Sequence, residues 1–195
     1  MTEVLEKHER RTELLDAARH ILAEKGLDAT KVSDIVALAG VAQGTFYLYF
    51  PSKLSLVLAL AQEMNEDNMA GVGAAIAGAP SLGDAIDAAV AAAFAGMERY
   101  RDVLGIIQGA MIAPEIRAQC RDLFEPYHAF VADLIRQGQA DGLIFPEVNA
   151  EMSASLIIGL IQHAGQECFI FSAETPSAAF ITEVAWFIRR ALGVF

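Results

Sequence analysis

Apolar residues recur along this chain at the three- and four-residue spacing of amphipathic helices, and no run of alternating β-branched residues interrupts them. The segment from Gly71 to Ser81 is predicted to be a connection, and Pro126 is expected to kink or split the helix that contains it. The pattern predicts an all-α protein with about nine helices, at about 9–25, 31–39, 42–50, 53–68, 82–100, 102–112, 115–138, 149–171 and 177–192.

The first three predicted helices indicate a helix-turn-helix, because a glycine-containing turn separates the short second and third helices. Thr30 is expected to cap the second helix and Gly40 to end it. The third helix has only about eight residues, so tertiary packing must hold it in place. Phe46 and Phe50, at i and i+4, share one face and are predicted to anchor this helix to the core.

The remaining face of the third helix carries an amide, a hydroxyl and two phenols. Such groups on a rigid helix suit the major groove of DNA, because Gln can read adenine, the Thr methyl can contact thymine and Tyr hydroxyls can reach phosphates. The alternative is that both tyrosines are ordinary packing residues. The four side chains predicted to face outward are those of Gln43, Thr45, Tyr47 and Tyr49.

Two further positions in this region point to an anionic partner. Gly44 lies inside the third helix, where Gly costs about 0.5–1 kcal/mol relative to Ala, and that cost makes sense if a partner approaches the backbone closely. Lys53 lies in the first turn of the fourth helix, where the helix dipole disfavours a cation. A phosphate at this helix start would remove the conflict, whereas the alternative is a solvated lysine.

The net charge of −11 argues by itself against nucleic acid, but the charge is unevenly distributed. Residues 1–60 hold seven Lys and Arg against eight Asp and Glu, whereas residues 61–195 hold seven against seventeen. All four lysines lie in the first part. Either this is chance composition or an anionic partner meets only the N-terminal part.

The stretch A-G-V-A-Q-G-T-F-Y-L-Y-F-P-S-K, Ala39 to Lys53, resembles the DNA-binding domain of the TetR (tetracycline repressor) family of transcriptional regulators. The resemblance extends over about Thr12 to Leu58. It implies an N-terminal three-helix DNA-binding domain at 1–52 and a larger helical ligand-binding and dimerisation domain at 53–195. The implied partners are double-stranded operator DNA, a small-molecule effector and a second copy of the chain.

The resemblance also implies which residues face DNA, and most of them match the positions singled out above. Lys31 follows the predicted helix cap and is expected to reach a phosphate. The chain departs from the usual family pattern at Val36-Ala37 and at Tyr49, which leaves the operator sequence open. The implied DNA-facing residues are Thr30, Lys31, Gln43, Gly44, Thr45, Tyr47, Tyr49 and Lys53.

The last two predicted helices are apolar on more than one side, which indicates burial on more than one side. Near the end of a chain, this pattern favours a two-fold dimer, since helix-turn-helix proteins read paired half-sites. The alternative is a monomeric core whose terminus is covered. The candidate interface residues are Ile157, Leu160, Ile161, Ala164, Cys168, Phe180, Val184, Phe187 and Ala191.

An effector pocket is expected among the fourth to eighth helices, because Met and aromatic side chains there can form an adaptable apolar wall with a few polar groups. For most of these residues ordinary core packing is the stronger interpretation, and His163 favours a core histidine over a ligand contact. The candidate lining residues are Met64, Phe94, Met97, Tyr100, Gln108, Met111, Phe124, Tyr127, His128, His163 and Gln166.

The remaining features argue against other classes of protein. No nucleophile elbow, phosphate loop or dinucleotide motif indicates an enzyme, and no Cys or His pair has zinc spacing, so neither a cofactor nor a metal is expected. Cys120 and Cys168 are predicted to be buried thiols in a reducing cytoplasm. The apolar run 152–171 contains polar residues and is predicted to be a buried helix, so no membrane partner is expected. The competing hypothesis is a helical carrier or sensor of apolar molecules that does not bind DNA.

Overall fold

The computed structural model describes residues 2–111, 113–172 and 176–194, with the backbone alone for residues 2–8, 115, 117 and 118. In these ranges the chain is helical and contains no strand, which confirms the predicted all-α class. A 3-10 turn, Pro114–Ile116, precedes the seventh helix, and a π-helical turn, Glu167–Phe171, follows the eighth. The α-helices are α1 (Thr2–Ala29), α2 (Val32–Ala39), α3 (Gln43–Tyr49), α4 (Lys53–Ile76), α5 (Leu82–Arg99), α6 (Arg101–Met111), α7 (Arg117–Ala140), α8 (Ala150–Gln166) and α9 (Ala178–Leu192).

Polar side chains cap several of these helices, as the sequence pattern requires. The Ser52 hydroxyl accepts from the backbone N–H of Ser55, and the Ser55 hydroxyl accepts from that of Ser52, so the two serines start α4 reciprocally. Ser81, Asn149 and Ser177 cap α5, α8 and α9. These caps fix the starts of the helices that form the larger part of the chain.

Two sequence expectations about helix boundaries are wrong, whereas the predicted break after Lys25 is present. Gly26 interrupts α1, with φ 74° and ψ 172°, and a short helical segment follows it to Ala29. α4 extends to Ile76 rather than ending near residue 68, because residues such as the buried Val72 pack on the core and outweigh the low helix propensity of the neighbouring glycines. α7 is not split, since it runs through Pro126 as one helix.

The chain forms two compact units. The first comprises Met1–Glu63 and Asp102–Cys120, and the second comprises Met64–Arg101 and Arg121–Phe195. The first unit therefore joins the helix-turn-helix to α6, which follows some 50 residues later in the sequence. Its core is formed by completely or almost completely buried side chains, namely Leu14, Ala18, Leu22, Ile35, Phe46, Phe50, Leu56, Val103, Leu104 and Ile107.

The second unit packs α5 against α8 and α9. Phe94 of α5 is 1% exposed, and its ring contacts Phe169 and Phe180 at centroid distances of 6.5 and 6.2 Å. Gly165 lets Met97 pack closely, because a Cβ at Gly165 would lie 2.4 Å from the Met97 sulfur. These contacts form a well-packed aromatic end of the unit.

Candidate nucleic-acid interface and apolar cavity

Local geometry orients α3 in the first unit. α2 ends at Gly40, whose φ of 67° and ψ of 29° place it in the left-handed region, and Gly40 donates its N–H to the Val36 carbonyl. The chain then passes through Val41 and Ala42 before α3 begins at Gln43. Phe46 is fully buried, so the short helix is fixed through its inner face.

The outer face of α3 presents four neighbouring residues to solvent: Gln43, Gly44, Tyr47 and Leu48. Tyr47 is 52% exposed and Leu48 is 80% exposed. A Cβ at Gly44 would meet nothing within 4 Å, so packing within the chain does not require glycine there. Leu48 was missed by the sequence reasoning, although the 43/44/47/48 spacing of one helical face would have identified it.

Next to this face lies an open depression of about 770 Å³. It brings together five of the eight residues predicted to face DNA: Thr30, Lys31, Gln43, Tyr47 and Lys53. Gly44, Thr45 and Tyr49 are not part of its lining, and the last two are half-buried. The lining also includes three polar residues that sequence reasoning missed, namely Asp28, Ser33 and Ser52.

The Lys53 ammonium group is held by two backbone carbonyls. Its Nζ donates to the Leu27 oxygen at 2.8 Å and to the Thr30 oxygen at 2.6 Å. These carbonyls belong to Leu27, just after the break in α1 at Gly26, and to Thr30, which follows the last residue of α1. The two hydrogen bonds offset the unfavourable position of Lys53 at the start of α4, so no phosphate is needed for that purpose. They leave one of the three ammonium N–H donors for a further partner.

Thr30 has a different role from the predicted one. Its side chain is 1% exposed, and its hydroxyl donates to the Gly26 carbonyl at 2.6 Å. The expected cap on α2 is wrong, because Lys31 occupies the N-cap position and no side chain accepts a hydrogen bond there. The hydroxyl of Thr30 instead donates a hydrogen bond to the Gly26 carbonyl, at the break near the end of α1.

An ion pair connects α1 and α2 behind the depression. Lys25 Nζ lies 3.0 Å from Asp34 Oδ2. The hydrogen bond from Lys25 holds the pKa of Asp34 below its usual value, so this carboxylate is ionised and paired near neutral pH. Its negative charge is therefore partly neutralised by Lys25, which limits its repulsion of an anion bound beside Lys31.

The second unit contains an apolar cavity of about 100 Å³. Helices α4, α5, α7, α8 and α9 contribute to it, together with the segment that follows α7. Among the described lining residues, Tyr127 is the one with a polar side chain. The lining residues are Val72, Leu82, Ile86, Ala89, Val90, Ala93, Tyr127, Val131, Leu134, Ile135, Ile144, Ile157, Ile161, Ile188 and Leu192.

Of the residues predicted to line a pocket, Tyr127 is the one that lines this cavity. Phe94 and Met97 belong to the aromatic end of the unit, and Tyr100 donates its hydroxyl to Asp67 at 2.9 Å. His163 is exposed, so the interpretation as a core histidine is wrong. The other predicted lining residues are half-buried and lie outside the cavity lining, namely Met64, Gln108, Met111, Phe124, His128 and Gln166.

Family models match both parts of this architecture. The model of bacterial regulatory proteins of the tetR family matches residues 14–60, which contain the helix-turn-helix. The model of the tetracyclin repressor-like C-terminal domain matches residues 86–192, more than half of the chain. The chain belongs to the TetR family. It is therefore a DNA-binding transcriptional regulator, and the residues around the depression lie in its DNA-binding domain.

Relatives of this TetR-family regulator match over nearly its whole length. It is 28% identical to the HTH-type transcriptional regulator YvdT of Bacillus subtilis (strain 168), over 92% of this chain and 93% of that protein. The fatty acid degradation regulator FadR of Bacillus halodurans has a similar fold, with a TM-score of 0.81, 22% identity, and coverage of 92% of this chain and 94% of that one. FadR of Bacillus subtilis, solved with stearoyl-CoA, has a TM-score of 0.79 at 20% identity, over 91% and 96% of the two chains.

The regulator's predicted dimer residues fall into three groups. Ile161, Ala164 and Val184 are buried within the chain, and Ile161 lines the cavity. Ile157, Leu160 and Cys168 are half-buried. The exposed members are Phe180, Phe187 and Ala191.

Several large apolar side chains of α8 and α9 are exposed to solvent. Met152 is 69% exposed and Leu156 is 73% exposed, and Phe187 of α9 is 58% exposed. The segment Ala150–Phe171 is long and apolar enough, by length and composition, to cross a membrane, with 28% of its window buried. We give the name α8/α9 apolar face to the exposed apolar side chains of Met152 and Leu156 on α8 and of Phe180 and Phe187 on α9.

Proposed function

We propose that this regulator is a repressor that binds operator DNA as a homodimer and is released by a small apolar effector. The observation that carries the proposal is the exposed α3 face, Gln43, Gly44, Tyr47 and Leu48, beside the polar depression that contains Lys31. Seven residues of helix with two buried phenylalanines form a rigid support for such a face.

In this proposal α3 enters the major groove. Gln43 and Leu48 contact base edges, as an amide suits adenine and an apolar side chain suits the thymine methyl. Gly44 lets the helix approach the DNA closely. Lys31, Ser33 and the Tyr47 hydroxyl bind phosphates, and the remaining ammonium donor of Lys53 does the same. Thr45 and Tyr49, which are half-buried, contribute at the edge of the interface, and Thr30 acts through its backbone.

The homodimer covers the α8/α9 apolar face. Exposed apolar patches of this kind mark interaction sites on soluble proteins. A second copy is the occupant we favour over a lipid bilayer, because Glu151, His163 and Glu167 lie within or beside the same helical segment and are exposed. A two-fold dimer presents two α3 helices to paired half-sites, which a monomer does not.

The effector occupies the cavity of the second unit. Its apolar lining fits a hydrocarbon group, and binding there shifts the equilibrium between DNA-binding and released states only by its differential affinity for them, commonly about 1–3 kcal/mol. The fold of stearoyl-CoA-bound FadR from Bacillus subtilis is similar, which supports a ligand role for this domain. We assign the regulator to the cytoplasm, with its DNA, and assign it no catalytic reaction.

A gel-shift titration tests the DNA-binding proposal. The purified protein is titrated against the DNA upstream of its own gene and against a scrambled fragment, at several salt concentrations. We expect preferential binding to the upstream fragment and a steep loss of affinity with salt, since phosphate contacts release counterions. Absence of binding to any promoter fragment at low salt, with the cavity ligand-free, would favour the carrier hypothesis instead.

A further inference from the structure

Two asparagine side chains in the second unit, the buried Asn65 and the half-buried Asn68, each carry a buried atom with no hydrogen-bond partner. Asn65 and Asn68 lie three residues apart on α4 and so share one face. Asn65 is 6% exposed, and its Nδ2 has no hydrogen-bond partner. The Oδ1 of Asn68 is also buried and has none. Buried polar groups are nearly always paired in native proteins, so two such groups one turn apart indicate a site for a polar ligand group.

Asn68 is connected to the apolar cavity, and Asn65 lies one turn before it on α4. Asn68 Nδ2 donates to the Tyr127 hydroxyl at 3.4 Å, and Tyr127 is the polar member of the described cavity lining. Val72, one turn beyond Asn68 on the same face of α4, lines the cavity as well. Burial raises the pKa of the Tyr127 hydroxyl, so this group keeps its proton and can donate it.

Gly96 of α5 makes room for the Asn68 side chain. A Cβ at this position would lie 2.8 Å from Asn68 Oδ1, which is closer than real Cβ contacts. Asn68 therefore occupies a space that α5 provides only with glycine. Leu at position 68 would leave no unpaired oxygen, so Asn68 makes the folded protein less stable than Leu would. A ligand group that donates a hydrogen bond to Asn68 Oδ1 can offset this cost.

The unmet groups define the chemistry of the ligand. Asn65 Nδ2 and the Tyr127 hydroxyl are donor groups with three protons between them, and Asn68 Oδ1 is an acceptor that requires one. A neutral hydroxyl supplies one proton and two lone pairs, so it satisfies all three groups. A carboxylate has no proton for Asn68 Oδ1. The described cavity lining also contains no Lys, Arg or His that could offset the charge of a buried carboxylate.

We propose that the effector is a small alcohol or phenol, with its hydroxyl bound by Asn65, Asn68 and Tyr127 and its hydrocarbon part in the cavity. The proposal rests on the effector role proposed above and specifies its chemistry. The cavity volume of about 100 Å³ is below the roughly 300–1,000 Å³ of drug-sized pockets, so the hydrocarbon part is about one ring in size.

Calorimetric titration with three probes of one shape tests this inference: 4-methylphenol, toluene and 4-methylbenzoate. We expect the wild-type protein to bind 4-methylphenol at least about ten-fold more tightly than either of the others, because a site built for a hydroxyl discriminates against analogues that lack it. Tyr127→Phe should weaken 4-methylphenol binding about 5- to 50-fold and leave toluene binding unchanged. Asn68→Leu should act in the same direction.

Tyr100→Phe is the matched control, since it also removes the hydroxyl of a buried tyrosine in the second unit but one that bonds to Asp67 and does not line the cavity. It should bind 4-methylphenol as the wild type does. Equal affinity of the wild type for 4-methylphenol and toluene, tighter binding of the benzoate, or no binding of 4-methylphenol would overturn the inference.

The DNA-binding proposal is measured separately, by the gel shift. If 4-methylphenol binds with the expected selectivity but leaves the DNA complex intact, the ligand inference stands and the repressor-release proposal fails. If 4-methylphenol releases DNA equally well from the wild type and from Tyr127→Phe, the release proposal stands and the hydroxyl site fails.

Discussion

The guanidinium group of Arg19 donates two hydrogen bonds to the carboxylate of Asp102, from Nε at 2.8 Å and from Nη2 at 2.7 Å. Arg19 lies on α1 and Asp102 in the first turn of α6, so the pair joins the DNA-binding domain to a helix 83 residues further along the chain. The bidentate geometry is specific to arginine, and the carboxylate also lies where the dipole of α6 favours a negative charge.

Loss of this pair should loosen α6. Asp102→Asn is expected to lower the free energy of unfolding by roughly 0.5–1 kcal/mol, since both side chains are about a third exposed and solvent screens the pair. Urea unfolding measures this change, and hydrogen exchange of the α6 amides should rise with it. The control is Glu13→Gln, which removes an exposed pair with Arg10 within α1 and should change stability less. Equal losses of unfolding free energy in the two variants would contradict the role of the Arg19–Asp102 pair in holding α6 against α1.

The two lysines beside the depression should behave differently. Lys53→Ala is expected to cost about 1–2 kcal/mol of stability, because two carbonyls at the end of α1 lose a charged donor. Lys31 is exposed, so Lys31→Ala should leave stability within about 0.5 kcal/mol and lower the salt slope of DNA binding by roughly one unit. Thermal unfolding and salt-dependent gel shifts measure these quantities. A Lys53→Ala protein as stable as the wild type would contradict a stabilising role for the two hydrogen bonds that Lys53 donates.

Leu48 is predicted to contribute to DNA recognition without contributing to stability. Leu48→Ser should weaken operator binding by about 1–3 kcal/mol, with most of the loss at a thymine position, while the melting temperature stays close to the wild-type value. Leu143→Ser is the matched control, because Leu143 is 53% exposed and lies in the second unit. The prediction fails if both substitutions leave operator affinity unchanged.

The α8/α9 apolar face should hold the dimer together. Leu156→Glu places a charge at a position that is 73% exposed in the single chain, so it should leave the fold intact and shift sedimentation toward the monomer. Ile161→Glu should instead unfold the second unit, because Ile161 lies in the cavity wall. A Leu156→Glu protein that remains a dimer would move the interface to another surface.

Alkaline pH should destabilise the protein through Tyr127. Burial raises its folded-state pKa above the ordinary value of 10.0, so the unfolded chain releases this proton first. The contribution of the neutral hydroxyl is complete below the unfolded pKa and decreases as the pH rises through the folded one. Urea unfolding at about pH 8 and about pH 10.5 should show a larger loss for the wild type than for Tyr127→Phe. Parallel losses in the two proteins would contradict the assignment.

Local sequence determined the helix-turn-helix. Gly40 ends α2, the four-residue spacing of Phe46 and Phe50 buries one face of α3, and the same spacing leaves Gln43 and Tyr47 outside. These features depend on neighbours within one or two turns, where backbone geometry and hydrophobic periodicity are decisive. The all-helical class and the capping role of Ser52 follow from information of the same range.

The tertiary structure decided which partners the polar groups find. The sequence placed Lys53 at an unfavourable helix start, but only folding brings it to the carbonyls of Leu27 and Thr30. The cavity likewise could not be read from composition. Phe94 and Met97, which suggested a pocket, pack against Phe169, Phe180 and Gly165, and mostly aliphatic residues from distant helices line the space. Close packing depends on which side chains meet across helices, and hydrophobic periodicity identifies the face that is buried without identifying what it is buried against.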